Sequence, residues 1–273
     1  MNALATPTTI KLVVFDWAGT IVDHGCFGPV APFRDVYAAN GVELSIAQVR
    51  EPMGLDKRQH LEALAAMPGV ADEWLKVNGR ELAASDIDKM YQDFMPRQVK
   101  CIPQHCGLVA GLKDAAADLR RRGIKLAGTT GYFREAAELC YATAREQGFT
   151  TDANCCVTDV PRGRPAPWML FRLMQELDVY PPATVIKVGD TVPDIGEGLA
   201  AGAWSVGVSA TGSDVGLTAA ELAALPKAER TSRIEQAAEK LREAGAHYVI
   251  ESVAELPALV VQIEAQLGAG VRP

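Results

Sequence analysis

Short apolar runs, rich in β-branched residues and bounded by polar residues, recur along the chain. They occupy residues 11–15, 124–127, 155–157, 185–188, 205–208 and 248–250. Such runs are typical of strands that are buried on both faces of a sheet. Helical patterns lie between them, at residues 111–122, 134–147, 167–177 and 230–244, and each is long enough for a crossover helix. Because strands and helices alternate, the pattern predicts an α/β fold with a doubly wound, mostly parallel sheet.

Residues 26–100 depart from this alternation. They contain helical patterns at residues 32–40, 57–67, 71–77 and 85–100, and no run that predicts a strand. We therefore predict two domains. The core comprises residues 1–25 and 101–273, and an α-helical domain, residues 26–100, is inserted after the first strand; we call this domain the cap. The chain of 273 residues is long enough for both.

Charge and hydropathy disfavour some classes of binding partner and some cellular locations. The chain has 27 Lys and Arg against 34 Asp and Glu, a formal net charge of -7, which disfavours nucleic acids and anionic membranes as partners. The uncharged stretch at residues 198–213 is too short to span a bilayer. Residues 1–9 lack the basic start and apolar segment of a secretory signal. We therefore expect a cytoplasmic protein.

The 6 cysteines form no CxxC pair and have no histidine at zinc-finger spacing. This spacing disfavours a metal cluster or a redox motif. We expect free thiols, and only Cys26 lies beside a motif that carries chemistry.

Polar side chains follow four of the predicted strands, at the edge where open α/β sheets bind ligands. In chain order they are Asp16, Thr130 with Gly131, Arg164, and Asp190 with Asp194. A single carboxylate at a strand end is common, but an ordered set of carboxylates, a hydroxyl and a cation is not. We infer that these residues form one site.

The chemistry of this set suits a phosphoryl group. Asp16 can attack phosphorus and form a covalent intermediate, which divides one difficult step into two. Asp16 and Asp190 offer hard oxygen ligands of the kind that Mg²⁺ prefers. Thr130 supplies a hydroxyl and Arg164 a planar cation for the phosphoryl oxygens, where transition-state charge is stabilised. The set can therefore hold a phosphoryl group together with Mg²⁺.

In their order along the chain, the four clusters resemble the motifs of the haloacid dehalogenase superfamily, and the cap resembles that superfamily's insertion between its first and second motifs. The resemblance implies a Rossmann-like core. Most phosphatases of the superfamily carry a second Asp two residues after the nucleophile, which serves as acid and base for an ester oxygen. This chain has Ala18 there, so an ester leaving group has no obvious proton donor.

The cap segment MGLDKRQH, residues 53–60, offers a different chemistry. Lys57 and His60 are three residues apart at a predicted helix start, so they share one helix face. A lysine in a water-poor cleft can form an imine, because desolvation disfavours its ammonium form. An ordinary pKa near 10.4 leaves well under about 0.1% of the amine neutral at pH 7, whereas a pKa near 7.5 leaves roughly a quarter.

Together with this segment, the motifs DWAGT, TTGY, GRPAPWM and KVGDT closely resemble the phosphonoacetaldehyde hydrolases, or phosphonatases, in both the core and the cap. The resemblance implies hydrolysis of the carbon–phosphorus bond of phosphonoacetaldehyde to acetaldehyde and phosphate, in the degradation of phosphonates such as 2-aminoethylphosphonate. It also implies a homodimer and no organic cofactor. A protonated imine lets carbon leave as an enamine, so the imine replaces the acid that is missing at Ala18.

The same resemblance implies a role for each candidate residue. Asp16 is the nucleophile, Lys57 forms the Schiff base, and His60 moves protons during imine formation. The Mg²⁺ ligands are Asp16, the backbone carbonyl of Ala18, and Asp190. The residues that bind the phosphoryl group or line the pocket are Thr130, Gly131, Arg164, Cys26, Met53, Gly54 and Tyr132.

Other interpretations stay open from the sequence alone. Lys57 is consistent with a solvated helix lysine, His60 with a packing or capping histidine, and Asp194 with a water-mediated metal contact or a structural role. The alternative functions are a haloacid dehalogenase-type hydrolase, which also lacks the second Asp but needs no Mg²⁺, and a catalytically idle phosphate-sensing protein. Asp190 and Lys57 favour the phosphonatase.

Overall fold

The computed structural model describes residues 8–273, so the expectation about a secretory signal in residues 1–9 falls mainly outside the described residues. The strands are β1 (Leu12–Asp16), β2 (Lys125–Thr130), β3 (Ala153–Cys156), β4 (Val185–Gly189), β5 (Trp204–Val208) and β6 (Tyr248–Ile250). They form one sheet of 6 strands in the order β3-β2-β1-β4-β5-β6, and every pairing is parallel. Each predicted run overlaps one strand, which confirms the predicted doubly wound α/β core.

The centre of the sheet positions the site. β1 is buried along its whole length, as expected of a strand covered on both faces. Its pairing aligns Asp16 with Thr129 of β2 and Phe15 with Val188 of β4. The strand order reverses direction between β1 and β4, and ligands bind in the crevice at such a point, beyond the carboxyl ends of the strands.

Twelve α-helices accompany the sheet in residues 8–273. They are α1 (Val30–Ala38), α2 (Ile46–Arg50), α3 (Lys57–Ala65), α4 (Pro68–Asn78), α5 (Ala84–His105), α6 (Leu112–Arg121), α7 (Arg134–Glu146), α8 (Trp168–Glu176), α9 (Val192–Ala201), α10 (Ala219–Ala224), α11 (Lys227–Glu243) and α12 (Leu256–Gly268). None of them is long and apolar enough to cross a membrane.

The core helices match the sequence pattern only in part. The predicted helical patterns correspond to α6, α7, α8 and α11, whereas α9, α10 and α12 were not predicted. α9 contains Gly196 and Gly198, and glycine is a weak helix former. Packing against β4 and β5 stabilises α9 where its own composition does not.

The cap contains α1 to α4 and most of α5, and no strand. The pattern predicted that its last helix ends at residue 100, but α5 continues to His105 and includes Pro96 and Pro103. Proline usually ends a helix because it lacks the N–H donor, and here the helix continues through both positions. The division at residue 100 therefore falls inside a helix, and the division into two domains stays a prediction.

Apolar packing is continuous from the sheet into the cap. One cluster of buried side chains includes Phe15 of β1 together with Phe33, Leu61 and Phe94 of α1, α3 and α5. The rings of Phe33 and Phe94 lie 4.4 Å apart. Full burial of each such side chain contributes about 1.5–3 kcal/mol. This packing holds the start of α3 close to the carboxyl edge of the sheet.

Candidate active site

The carboxyl edge of the sheet and the first turn of α3 enclose a small cavity of about 30 Å³. Ten of the predicted site residues line it: Asp16, Ala18, Cys26, Met53, Gly54, Lys57, Thr130, Gly131, Tyr132 and Arg164. Pro29, Leu55 and Thr191, which the sequence analysis did not single out, line it as well. The cavity therefore combines core and cap residues and has room only for a small molecule.

Asp16 ends β1 and is held by Arg164. Nη2 of Arg164 donates to Oδ1 of Asp16 at 2.6 Å and to the carbonyl of Thr129 at 2.8 Å. Both charged side chains are buried. Burial raises the pKa of Asp16, and the guanidinium opposes that rise. The carboxylate is therefore fixed in one orientation, with a cation beside it.

Three buried carboxylates converge at this point. Asp16, Asp190 and Asp194 each place an oxygen within 4.8 Å of the others. Burial, and then the charge of Asp16, raise the pKa of Asp190 well above its ordinary value. The carbonyl of Ala18 accepts no backbone hydrogen bond from residues 8–273, and Ala18 lines the cavity. Crowded carboxylates and a free carbonyl fit a hard divalent cation such as Mg²⁺, which relieves the repulsion.

Asp194 has a different environment from the other two carboxylates. Its Oδ1 lies 2.8 Å from Nη1 of Arg164 and 2.8 Å from Nζ of Lys187. Its Oδ2 accepts hydrogen bonds from the hydroxyl and the N–H of Thr191. Oδ1 thus has two ion-pair partners and Oδ2 has hydrogen-bond partners within the protein, which favours a supporting role for Asp194 over direct contact with a metal.

Neighbours of Asp190 fix the direction of its carboxylate. The N–H of Ser213 donates to its Oδ2 at 3.0 Å, and the thiol of Cys26 lies 3.5 Å from the same oxygen. The hydroxyl of Thr20 donates to Oδ1 at 3.4 Å. Burial, and then Asp190, raise the pKa of the Cys26 thiol well above its ordinary value, so the group stays protonated and acts as a donor.

Lys57 is the first residue of α3, and its side chain is only 4% exposed. Asp56 caps the helix by accepting from the N–H groups of Arg58 and Gln59. Nζ of Lys57 lies 5.1 Å from the ring centre of Tyr132. Burial lowers the pKa of Lys57 to about 8, although Asp16 opposes the shift. About a tenth of the amine is then neutral at pH 7.

His60 lies one helical turn after Lys57 and is fully buried. Its Nε2 is 2.8 Å from the carbonyl of Val49 and therefore donates to it, and its ring stacks on Phe33 with centres 3.8 Å apart. Burial, and then Lys57, lower its pKa well below the ordinary value. Nδ1 has no hydrogen-bond partner in residues 8–273, so this nitrogen is an unused hydrogen-bond acceptor. His60 is not among the cavity-lining residues of the described chain.

Two glycines allow the cap and the core to touch through their backbones. Gly54 has φ +94°, and a Cβ there would lie 2.2 Å from Oγ1 of Thr191. A Cβ at Gly131 would lie 2.9 Å from the carbonyl oxygen of Leu55. Larger residues at either position would push the cap away from the core.

Several charged residues around the site are not among those predicted from the sequence. Arg50 donates from the cap to the backbone carbonyls of Gly25 and Ser213, each at 2.7 Å. Lys187 and Glu197 lie buried below Arg164. The signal for Lys187 was available, because a charged residue inside an apolar strand run requires a buried partner.

Comparisons with known proteins show which family the chain belongs to. A family model for haloacid dehalogenase-like hydrolases matches residues 10–202. The chain is 43% identical over 264 residues to the phosphonoacetaldehyde hydrolase of Syntrophobacter fumaroxidans, across 97% of this chain and 95% of that protein. It is 43% identical over 257 residues to the enzyme of that name from Bacillus cereus, across 94% and 97%. A solved phosphonoacetaldehyde hydrolase-like protein from Oleispira antarctica is 37% identical, with a TM-score of 0.96 over 100% of this chain and 99% of that one.

Proposed function

The chain belongs to the phosphonoacetaldehyde hydrolase family of the haloacid dehalogenase-like hydrolases, and from this membership we propose that it hydrolyses phosphonoacetaldehyde to acetaldehyde and phosphate through a lysine imine and an aspartyl phosphate. The pathway that we propose for it is the degradation of phosphonates such as 2-aminoethylphosphonate.

One observation carries the mechanism. Lys57 of the cap and Asp16 of the core line the same small cavity, and Ala18 stands where an acid would serve an ester. Burial lowers the pKa of Lys57 to about 8, which supplies neutral amine at physiological pH. This arrangement supports a mechanism in which the amine attacks the aldehyde carbon and the carboxylate attacks the phosphorus of one two-carbon substrate.

In the first step, the neutral amine of Lys57 attacks the aldehyde carbon, and loss of water gives an imine. The dehydration requires proton transfers at the carbinolamine oxygen and at nitrogen. The unpartnered Nδ1 of His60, one helical turn from Lys57, supports a role in moving these protons. The imine is then protonated, which makes it an electron acceptor.

In the second step, Asp16 attacks phosphorus and the carbon–phosphorus bond breaks. The bonding electrons move into the protonated imine and form an enamine, while the phosphoryl group is transferred to the Asp16 carboxylate. Arg164 and Thr130 line the cavity beside Asp16, where they stabilise the phosphoryl oxygens. When bound by Asp16, Asp190 and the Ala18 carbonyl, Mg²⁺ supplies further positive charge to those oxygens.

The last steps regenerate the enzyme. Water hydrolyses the aspartyl phosphate and releases phosphate. Protonation of the enamine carbon and hydrolysis of the resulting imine release acetaldehyde and restore Lys57. One water is lost in imine formation and two are consumed, so the net reaction uses one water.

Borohydride reduction in the presence of phosphonoacetaldehyde tests the assignment of Lys57. Peptide mapping should find the reduced adduct at Lys57, and Lys57→Arg should abolish both adduct and turnover because a guanidinium does not form the imine. Lys89→Arg, at an exposed lysine of the same cap, is the matched control and should keep both. An adduct found only at other lysines contradicts the mechanism.

The assembly and location are proposals of the same kind. We propose a homodimer, supported by the apolar side chains of Leu75 and Val77 on cap helix α4, which are 49% and 47% exposed. Light scattering should give a mass near twice that of the chain, and a monomer contradicts the proposal. We also propose a cytoplasmic location, supported by 6 free cysteines.

A further inference from the structure

Two buried charges have no part in the mechanism above. Lys187 on β4 is 1% exposed, and Glu197 on α9 is fully buried. Isolated charges at such positions would be strongly destabilising, so their partners indicate what they do. Nζ of Lys187 lies 2.8 Å from Oδ1 of Asp194 and 3.3 Å from Oε2 of Glu197. Lys187 thus forms ion pairs with two carboxylates beside the site and offsets part of their charge.

The same two carboxylates hold Arg164. Its Nη1 lies 2.8 Å from Asp194 and its Nε 3.2 Å from Glu197. Its remaining nitrogen, Nη2, pairs with Asp16 at 2.6 Å. Arg164 therefore pairs with Asp194 and Glu197 as well as with the nucleophile, and its positive charge is shared among the three carboxylates.

A single hydroxyl links the network. Oγ1 of Thr129 accepts from Lys187 at 2.9 Å and from Arg164 at 3.0 Å, and it donates to Glu197 at 3.3 Å. Asp194 and Glu197 are three residues apart, so both project from one face of α9. Lys187 thus contacts Thr129, Asp194 and Glu197, which are the residues other than Asp16 that pair with Arg164.

We propose that Lys187 is a positioning residue that offsets part of the charge of the Asp194–Glu197 pair and so lets Arg164 stay paired with Asp16 and available to the phosphoryl group. Two cations balance these two carboxylates in the native network. If Lys187 were neutral, Arg164 alone would face both carboxylates, and their attraction would draw the guanidinium away from Asp16. This inference rests on the proposed function, in which Arg164 binds phosphoryl oxygens.

Three variants test the proposal with inorganic phosphate as the ligand, measured by calorimetry in the presence of Mg²⁺. Lys187→Met removes one cation at similar length, and Lys187→Met combined with Glu197→Gln removes one charge of each sign. Lys125→Met, at an exposed lysine of β2, is the control. We expect Lys187→Met to weaken phosphate binding and lower kcat, each by at least about tenfold, and the double variant to bind phosphate within about threefold of the wild type.

The outcomes separate positioning from mere stabilisation. A folded Lys187→Met protein that binds phosphate within about twofold of the wild type overturns the proposal. If that variant does not fold, the double variant decides, because a folded double variant that has lost more than about tenfold in phosphate affinity also overturns it. A wild-type protein that binds phosphate but does not cleave phosphonoacetaldehyde contradicts the proposed function instead, and the phosphate measurements still test the role of Lys187.

Discussion

The guanidinium of Arg50 in the cap donates a hydrogen bond of 2.7 Å to the backbone carbonyl of Ser213 in the core. The N–H of Ser213 in turn donates to the carboxylate of Asp190 at 3.0 Å. Arg50 ends α2, directly before the loop that leads to Lys57. A single side chain thus links the cap loop to the backbone that orients a proposed metal ligand.

Replacement of Arg50 by Gln should loosen this link. We expect KM for phosphonoacetaldehyde and the Mg²⁺ concentration for half-activity each to rise by about tenfold or more, because a hydrogen bond to a charged group is worth about 1.5–3 kcal/mol. Amide hydrogen exchange should increase in residues 51–57. Arg58→Gln, at an exposed cap arginine, is the control, and equal effects in the two variants would contradict a specific role for Arg50.

The rate of imine formation should follow the titration of Lys57. Because burial lowers the pKa of Lys57 to about 8, the neutral fraction rises about tenfold per pH unit below pH 8 and levels off above it. Trapping by cyanoborohydride at several pH values, with acetaldehyde as the carbonyl compound, measures this dependence. A trapping rate that still climbs tenfold per unit between pH 8.5 and 9.5 would show that Lys57 keeps an ordinary pKa.

Ala18→Asp should reduce cleavage of phosphonoacetaldehyde by at least about tenfold. The new carboxylate would lie near Asp16 and an anionic substrate, and repulsion at 4 Å is worth about 1 kcal/mol in water and about 4 kcal/mol at an effective dielectric of 20. It would also stabilise the ammonium form of Lys57. Steady-state phosphate release measures the effect, with Ala18→Ser as the uncharged control. Undiminished turnover would refute the argument about the leaving group.

Asp190→Asn should raise the Mg²⁺ requirement sharply, because it removes one of the two carboxylates proposed as ligands. Chelation should abolish turnover of the wild type, and added Mg²⁺ should restore it. Direct titration of Mg²⁺ by calorimetry gives a readout that is independent of turnover. Full activity in metal-free buffer would favour chemistry of the haloacid dehalogenase type.

Gly54→Ala should lower kcat/KM by about tenfold or more, because a Cβ at φ +94° would lie 2.2 Å from Thr191 and hold the cap off the core. Gly79→Ala is the matched control, since Gly79 also has a positive φ, +68°, but has nothing within 4 Å of its added Cβ. Thermal unfolding of both variants reports the backbone strain. Equal losses of activity in the two would mean that strain alone, without contact, explains the effect.

The sequence was sufficient for the strands because buried parallel strands are short, apolar and β-branched, which is a local property. It was also sufficient for the residues at the strand ends, because a parallel sheet brings those ends together whatever the intervening helices do. The helical nature of the cap followed from the absence of any strand pattern. The end of α5 at His105 could not be predicted from the pattern, because a proline such as Pro103 usually ends a helix.

The burial of Lys187 could be predicted from its place in an apolar strand run, but its partners in the charged network could not. Lys187 and Glu197 are far from Arg164 in the chain, and only the packing of α9 against β4 brings them within 3.3 Å of each other. The role of Arg50 depends on backbone carbonyls, which every residue has and no motif marks. Contacts of this kind are set by tertiary structure.

Because Lys57 is buried against the core, any closure of the cap over the site is coupled to the loss of a proton from Lys57. Any motion that lifts the cap from the core returns the ammonium to water and to its ordinary pKa near 10.5, whereas the closed site holds that pKa at about 8. At pH values between about 8 and 10.5, closing of the cap releases most of one proton to solvent. The ratio of closed to open enzyme then increases by up to about tenfold per pH unit. Hydrogen ions therefore oppose imine formation in two ways, since they protonate the Lys57 nucleophile and also favour any conformation in which Lys57 is exposed to water.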